Sequence, residues 1–440
     1  MIDEAQDMSN EAMRLVRALA AKNTAMRVVV VGDDDQCIFE YAGANPANFG
    51  AFQETPGASL YQMTENYRSA RHIVAFANQF VCSIAHRMKS EPILAMSEDD
   101  GEVTITESVM SANLEESLVA ALCRKRETMP QASFAVLTNT NREALVVAGL
   151  LKREGVEAVL IGELGGFRFR DLAEVRFFLK CLQEGHESTK ISDELWSASL
   201  NALERQFAES AVCVAVVRAL QAFDRHVDGQ RYVTDLEEFL NDCQYSDFVR
   251  SESSTAVSVM TIHKAKGREF DCVFMLLTGS ARTMTDAERR KLYVGFTRAR
   301  FCLSIHTNTE IFHPYRALSE VTYVLDQTKH EAAREIVLEL GLDDVVLDAM
   351  RGRRAEIGAL RSGMPLSVDR EGATYGCPRR NRVCTSQPSR RLREALAEYA
   401  KAGYRPKQAE VAFVVHWHPV GTQASVEHLV VLPRITLARG

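Results

Sequence analysis

Asp3 and Glu4 are adjacent carboxylates directly after the apolar pair Met1-Ile2, in the run Met1-Ile2-Asp3-Glu4-Ala5-Gln6-Asp7. Neighbouring acids at the end of an apolar strand can hold Mg²⁺ and orient a water for attack on a nucleotide γ-phosphate. Asp3, Glu4 and Asp7 would equally suit the N-terminus of the following helix, where the helix dipole favours negative charge. Strands bearing such a pair normally have several apolar residues before it, and here there are two. No Gly-Lys dipeptide occurs in the 440 residues, so the sequence holds no Gly-x-x-x-x-Gly-Lys-Ser/Thr phosphate loop. The expectation is the downstream part of a nucleotide-driven motor whose phosphate-cradling strand and loop are missing.

The elements that must carry these groups alternate. Ser9 is suited to cap a helix running through Leu15, Val16 and Leu19. The run Val28–Val31, ending in Gly32-Asp33, reads as a buried parallel strand. Further strand-like runs cover residues 103–106, 133–137, 156–161, 257–262, 272–277 and 302–306. Helical patterns fill 113–128, 141–154, 171–183 and 285–299. Such alternation predicts doubly wound α/β layers. Residues 188–250 break it with helix-like segments only, so Trp196 and Leu200 read as core. Beyond residue 330, β-like runs at 411–416 and 428–432 flank Trp417, the second ending at Pro433.

Hydrophobic content of 46% and charged content of 25% are those of a globular protein with substantial cores. No run of about 18 apolar residues appears and the N-terminus is acidic, which argues against secretion and membrane spanning. The ten cysteines are scattered without a Cys-x-x-Cys, as expected of reduced cytoplasmic thiols. The net charge of −7 is uneven: residues 351–407 carry fourteen Lys/Arg against five acids, leaving about −16 on the remainder. That basic segment reads either as a polyanion contact with salt-sensitive binding or as a solvated linker.

Several short motifs recur in one order. Asp3-Glu4-x-Gln6-Asp7 is followed by Gly32-Asp33-Asp34-Asp35-Gln36, which continues through Cys37-Ile38-Phe39-Glu40-Tyr41-Ala42-Gly43-Ala44. Then come Glu65-Asn66-Tyr67-Arg68-Ser69, Gly165-Gly166-Phe167-Arg168-Phe169, Thr261-Ile262-His263-Lys264-Ala265-Lys266-Gly267-Arg268-Glu269-Phe270 and Tyr293-Val294-Gly295-Phe296-Thr297-Arg298-Ala299. From residue 1 to about 306 this series resembles the UvrD/Rep/PcrA group of superfamily-one DNA helicases.

The resemblance implies a role for each part. Asp3 would hold Mg²⁺ through water and Glu4 would polarise the attacking water. Gln36 would feel the γ-phosphate of ATP, although a glutamine in a turn is more often a satisfied polar group. Arg68 and Arg298 would act as paired arginine fingers, planar guanidinium groups answering the charge of a phosphoryl-transfer transition state. Tyr67 would stack on adenine, or only pack; Glu269 would meet the ribose, and Lys266-Gly267 would turn tightly near phosphate. Thr261 and His263 would touch the backbone of single-stranded DNA, the alternative for His263 being a structural histidine. Phe39 and Tyr41 would stack on bases, a contact worth about 1–3 kcal/mol per base. Two positions depart from the group: Ala42 stands where Arg is usual, and Tyr41 where Trp or Phe is usual. Both loosen the expected coupling between the ATP site and DNA.

The implied fold is α/β: two RecA-like doubly wound domains, the first truncated, with a reduced helical insertion and a small α+β C-terminal domain. Residues 1–100 would be the remainder of the first RecA-like domain, 101–187 and 251–310 the two parts of the second, 188–250 the insertion and 311–440 a basic linker and terminal domain. Asp343-Asp344-Val345, Gly352-Arg353-Arg354-Ala355-Glu356-Ile357 and Leu360-Arg361-Ser362-Gly363 are similar to the terminal domain of chains fusing a RecQ-type to a UvrD-type helicase. The expected activity is that of an ATP-dependent 3′-to-5′ DNA helicase of repair, recombination or replication. It would use ATP and Mg²⁺ on single-stranded DNA and duplex junctions, in the cytoplasm. The alternative is a non-catalytic DNA-binding or scaffold remnant.

Overall fold

The computed structural model describes residues 1–23, 25–54, 57–85, 87–108, 114–161, 166–185, 189–227, 229–249, 256–279, 283–328, 332–347, 354–376, 383–418 and 427–440. The chain forms two compact units, residues 1–147 with 255–332 and residues 148–254 with 333–440. Gly165, Gly352, Arg351, Arg353, Cys377, Arg379, Arg380 and Arg382 lie outside the described residues.

The first unit is built on a parallel sheet of β1 (Glu102–Ser108), β2 (Phe134–Thr138), β3 (Val257–Thr261), β4 (Phe270–Leu277), β5 (Ala299–Thr307) and β6 (Val321–Asp326). Their spatial order is β6-β1-β5-β4-β2-β3. β2 is buried at every position and β4 at all but one, as their near-continuous apolar sequences require of strands covered on both faces. Helices Arg71–Val81, Leu114–Thr128 and Asp286–Phe296 belong to this unit, the last opened by a Thr285/Glu288 capping box.

An aromatic cluster fixes two of these helices. Phe296 lies 5.1 Å from Phe76 and 4.8 Å edge-on from Phe80, with Phe312 and Tyr315 closing the group. Phe76, Phe80, Phe296 and Phe312 are fully buried. Just before helix Arg71–Val81, Ser69 Oγ donates to Ala299 O (2.7 Å) and Ala70 N–H to Arg300 O (2.8 Å). Arg68 and Arg298 thus stand at the adjoining ends of elements locked by one core.

The N-terminal stretch departs from expectation. Ser9 caps helix Asn10–Lys22, accepting from Ala12 N–H. Val28–Val31, read as a buried strand, makes a parallel bridge between Val30 and Ile2, yet Val28, Val29 and Val31 remain exposed. Apolar periodicity signals a strand, but burial needs neighbours on both faces, and among the described residues only the Ile2 segment pairs with it.

In the second unit, helices Ala173–Gly185, Asp193–Gln206, Cys213–His226 and Val233–Asp242 pack around Trp196, which lies 5.1 Å from Phe178 and 5.9 Å from Phe223. Strands Glu335–Glu339, His428–Arg439, Tyr404–Trp417, Pro365–Val368, Thr374–Gly376 and Val383–Ser386 neighbour one another in that order as an antiparallel sheet. The strand expected to stop at Pro433 runs on to Arg439. Pro433 faces Val411 beside a register irregularity, where a missing N–H is tolerated. Among the described residues of the basic segment several cations are paired: Arg390 with Glu394, Arg391 with Asp343 and Asp344, Lys401 with Glu398 and Lys407 with Glu335.

Truncating the shared anchor of the two helices should leave a cavity neither can fill. Phe296→Ala is expected to cost about 3–5 kcal/mol, with Phe296→Leu costing less, read as a lower urea midpoint by circular dichroism.

Candidate functional site

All the candidate residues lie in the first unit, and most meet along one polar path. Arg298 is 3% exposed; its guanidinium donates to Val294 O (2.9 Å), Arg268 O (3.3 Å), Thr297 Oγ1 (3.0 Å) and Gln36 Oε1 (3.0 Å). Gln36 Nε2 donates to Asp33 Oδ2 (2.8 Å), Asp33 N–H to Gln6 Oε1 (2.9 Å), and Gln6 Nε2 to Glu4 Oε2 (2.6 Å). A cation buried to this degree requires partners, and these partners lead step by step to the acidic pair. Gly32 makes room for the path, since a Cβ there would stand 2.4 Å from Gln6 Oε1.

Glu4 has left-handed backbone (φ 49°, ψ 41°), alone among described non-glycine residues in having positive φ. That geometry costs about 1–2 kcal/mol for an L-residue and is held by specific bonds. Glu4 N–H donates to Asp3 Oδ1 (2.9 Å), and Lys266 Nζ lies 3.3 Å from Glu4 Oε2. Lys266 also ion-pairs with Asp7 and donates to Gln36 O (3.1 Å). It precedes Gly267, whose φ of 78° makes the tight turn that only glycine adopts cheaply.

The acidic set is compatible with a hard divalent cation. Asp3 and Glu4 are exposed, and Asp7 Oδ1 is buried with no hydrogen-bond partner among the described residues. Such all-oxygen donors suit Mg²⁺. Burial raises the Asp7 pKa, Lys266 opposes the rise and Glu4 adds to it. The contiguous Asp33, Asp34 and Asp35 also bring ligand oxygens within 4.8 Å of one another. Arg87 grips Asp35 bidentately, Lys89 binds Asp33 (2.6 Å), and Met88 N–H binds Asp34 (2.7 Å), so these carboxylates already carry structural partners.

Arg68 is half-exposed and pairs with Glu269 (2.7 Å), which Arg300 also binds. Burial pushes the Glu269 carboxyl up, but the Arg300 hydrogen bond and the two guanidinium charges hold it below the usual range. Burial brings Arg298 down to about 10, and the Arg68 charge adds to the fall while Glu4 opposes it. The charge of Arg68 therefore reaches Arg298, and so does that of Glu4. Tyr67 is 72% exposed and hydrogen-bonds Glu65.

The aromatic candidates gather beside the path. His263 lies 5.6 Å edge-on from Tyr41 and 6.2 Å from Phe39; Phe39 and Tyr41 are 6.1 Å apart. Tyr41 is 75% exposed and offers an open face, whereas Thr261 is buried at the end of β3.

Comparison with known proteins converges on one group. The description "UvrD/REP helicase N-terminal domain" matches residues 1–57, and "UvrD-like helicase C-terminal domain" matches residues 61–212 and, as a second model, 256–304. The chain is 26% identical over 328 residues to ATP-dependent DNA helicase UvrD2 of Mycobacterium tuberculosis, covering 69% of this chain and 46% of that protein. It is 24% identical over 399 residues to ATP-dependent DNA helicase PcrA of Bacillus subtilis, covering 68% and 53%. With ATP-dependent DNA helicase Rep of Buchnera aphidicola the identity is 21% over 396 residues, covering 68% and 61%.

The chain belongs to the UvrD/Rep/PcrA-type superfamily-one helicases. It spans about half the length of the curated relatives it matches. The parallel sheet of its first unit agrees with the RecA-like α/β fold of this UvrD-type family.

Motif spacing in a UvrD-type sequence does not single out Gln6, Asp33 or Lys89 as participants. Gln6 and Asp33 lie inside the Asp3–Asp7 and Gly32–Gln36 motifs, and their part emerges only from hydrogen bonds to partners 27 and 3 residues away. Arg87 and Lys89 carry no sequence signal beyond their charge.

His263 gives a titration to follow. Burial lowers its pKa first and the Lys291 charge second. A histidine depressed in the folded state binds fewer protons than the unfolded chain between its lowered midpoint and the ordinary value of about 6.5. Stability should therefore rise with pH through that window and fall on acidification. NMR of ¹³C-histidine-labelled protein is expected to give a His263 midpoint below the ordinary imidazole range, and Lys291→Met should raise it.

Proposed function

We propose that this protein works as an ATP-dependent DNA translocase and helicase, moving 3′ to 5′ along single-stranded DNA toward duplex junctions. Its setting would be cytoplasmic repair, recombination or replication. The observation that carries the reading is the unbroken hydrogen-bonded path from Arg298 through Gln36, Asp33 and Gln6 to Glu4. A buried guanidinium wired to a water-polarising carboxylate is what phosphoryl transfer asks for, because catalysis there is mostly positioning and charge stabilisation. The names of the relatives, all ATP-dependent DNA helicases, support it.

In this reading Asp3 holds Mg²⁺ through water, and the ion, when bound, neutralises charge on the phosphates of ATP. Glu4 accepts a hydrogen bond from the attacking water and orients it. Arg298 and Arg68 face the developing charge, Gln36 registers the γ-phosphate, Tyr67 covers the adenine and Glu269 meets the ribose. Phe39 and Tyr41 stack on bases, while Thr261 and His263 lie against the DNA backbone. Residues 1–100 serve as part of a first RecA-like domain and residues 101–187 with 251–310 as the second. Residues 188–250 serve as a reduced helical insertion, and residues 311–440 as a basic terminal region.

One sequence feature favours a second reading, a DNA-binding scaffold without turnover: the 440 residues include no Gly-x-x-x-x-Gly-Lys-Ser/Thr motif, whose backbone amides would cradle the β- and γ-phosphates. Steady-state ATPase assays of this chain with saturating single-stranded DNA are expected to give very slow turnover; robust turnover would mean that another segment binds the phosphates.

DNA binding separates these readings from a protein with no nucleic-acid role. Tyr41→Ala should weaken binding of a labelled oligothymidylate by about 1–3 kcal/mol, measured by fluorescence anisotropy, whereas Tyr41→Trp should keep it. No binding by the unmodified chain would remove both readings.

A further inference from the structure

Lys266 is nine-tenths buried along its side chain, and its ammonium touches groups from several elements at once. It ion-pairs with Asp7, lies 3.3 Å from Glu4 Oε2, donates to Gln36 O at 3.1 Å and stands 5.3 Å from the centroid of the Phe39 ring. Within the same aromatic segment, Glu40 pairs with Arg290 (3.1 Å). Arg290 is 8% exposed and lies on helix Asp286–Phe296, whose C-terminal end leads to Arg298. The segment Phe39–Tyr41 is therefore held by two buried cations, Lys266 beside the acidic pair and Arg290 on the helix that leads to Arg298.

We propose that Lys266 is a positioning residue that couples the acidic pair to the base-stacking platform, with the Arg290–Glu40 pair as its fixed counterpart. The inference rests on the nucleotide and DNA roles proposed above. An ammonium has three donors and no acceptor, on a flexible four-carbon stem. Shared between carboxylates and a ring face, it shifts toward the ring when the negative charge of the carboxylates is offset by a bound cation. Moving it changes how firmly Phe39 is held, and Phe39 abuts both Tyr41 and His263. Ala42 has no side chain long enough to carry such a link, so Lys266 supplies it from the opposite element. Arg290, ion-paired rather than stacked, stays put and gives the segment a pivot.

The test is a double-mutant cycle on the full chain. Asp7→Asn removes a charge that Lys266 senses, and Lys266→Met removes the sensor while keeping its hydrocarbon bulk. Asp7→Asn alone is expected to weaken oligothymidylate binding about three- to tenfold, the range of a partly buried cation–π contact. In the Lys266→Met background the same change should have little effect, which makes the two sites energetically coupled. Lys266→Arg should preserve the response. A second readout needs no DNA: Asp7→Asn should move the His263 ring resonance in ¹³C-histidine spectra, and should fail to do so without Lys266. If circular dichroism finds K266M unfolded, K266Q, which keeps a donor for Gln36 O but no charge, takes its place. An equal response to Asp7→Asn in both backgrounds, or none in either, overturns the proposal. Loss of DNA binding by the unmodified chain would instead sink the DNA reading, leaving the spectral arm to decide whether Lys266 links the two sites.

Discussion

The buried guanidinium of Arg298 is the constraint on which the rest of the site depends. A charge taken out of water destabilises the fold unless its donors find acceptors. Arg298 meets this with carbonyls of Val294 and Arg268, the Thr297 hydroxyl and the Gln36 amide. The four acceptors come from three pieces of the chain: the end of helix Asp286–Phe296, the turn after Gly267 and the segment after Gly32. Satisfying one cation thereby fixes three segments relative to one another within the unit. The aromatic cluster around Phe296 does the same from the apolar side, holding the helix whose end carries Arg298 against the helix that follows Arg68.

Strain and satisfaction are arranged in opposition here. Glu4 occupies a left-handed backbone conformation at a solvent-facing position, which the surrounding bonds must hold. Lys266 and Gln6 bind its carboxylate, and Gln6 is locked by the Asp33 N–H, so the strained residue is the end of a chain of donors rather than a free loop tip. Oxygen acceptors at Asp3, Glu4 and Asp7 are thus preorganised before any ligand arrives, which lowers the cost of ordering them later.

Most strands and helices were legible because their apolar patterning is uninterrupted: the strand-like runs 272–277 and 302–306 lie within β4 and β5. Legibility failed where neighbours decide the outcome. Val28–Val31 has the pattern of a covered strand but only Ile2 beside it among the described residues, and no periodicity encodes who lies alongside. Pro433 looked like a strand end, yet the register irregularity opposite absorbs it. The ordered motif series brought Arg298, Gln36 and Glu4 forward as candidates, since those side-chain types are demanded by chemistry. It could not reveal Gln6, Asp33 or Arg290, whose parts depend on which way a side chain turns. A count made within the basic terminal segment likewise does not reveal carboxylates such as Asp343 and Glu335, which come from outside the segment to meet Arg391 and Lys407.

The Gln36 amide has one consequence for how the path can respond. On one side it meets a guanidinium, which can only donate, and on the other a carboxylate, which here only accepts. Its oxygen must therefore face Arg298 and its nitrogen Asp33; the reverse orientation would break both bonds. Lys89 in turn holds Asp33 at 2.6 Å, so the carboxylate that orients the amide cannot swing away cheaply. Under the proposed function a phosphate oxygen, a stronger acceptor than an amide oxygen, would compete with Gln36 for Arg298. Gln36 would then lose a partner that only another donor could replace, and the nearest part of the chain to feel that loss is its own backbone, whose carbonyl Lys266 already holds. A signal starting at the guanidinium would reach the aromatic segment within three residues of sequence, from Gln36 to Phe39, without needing any longer route.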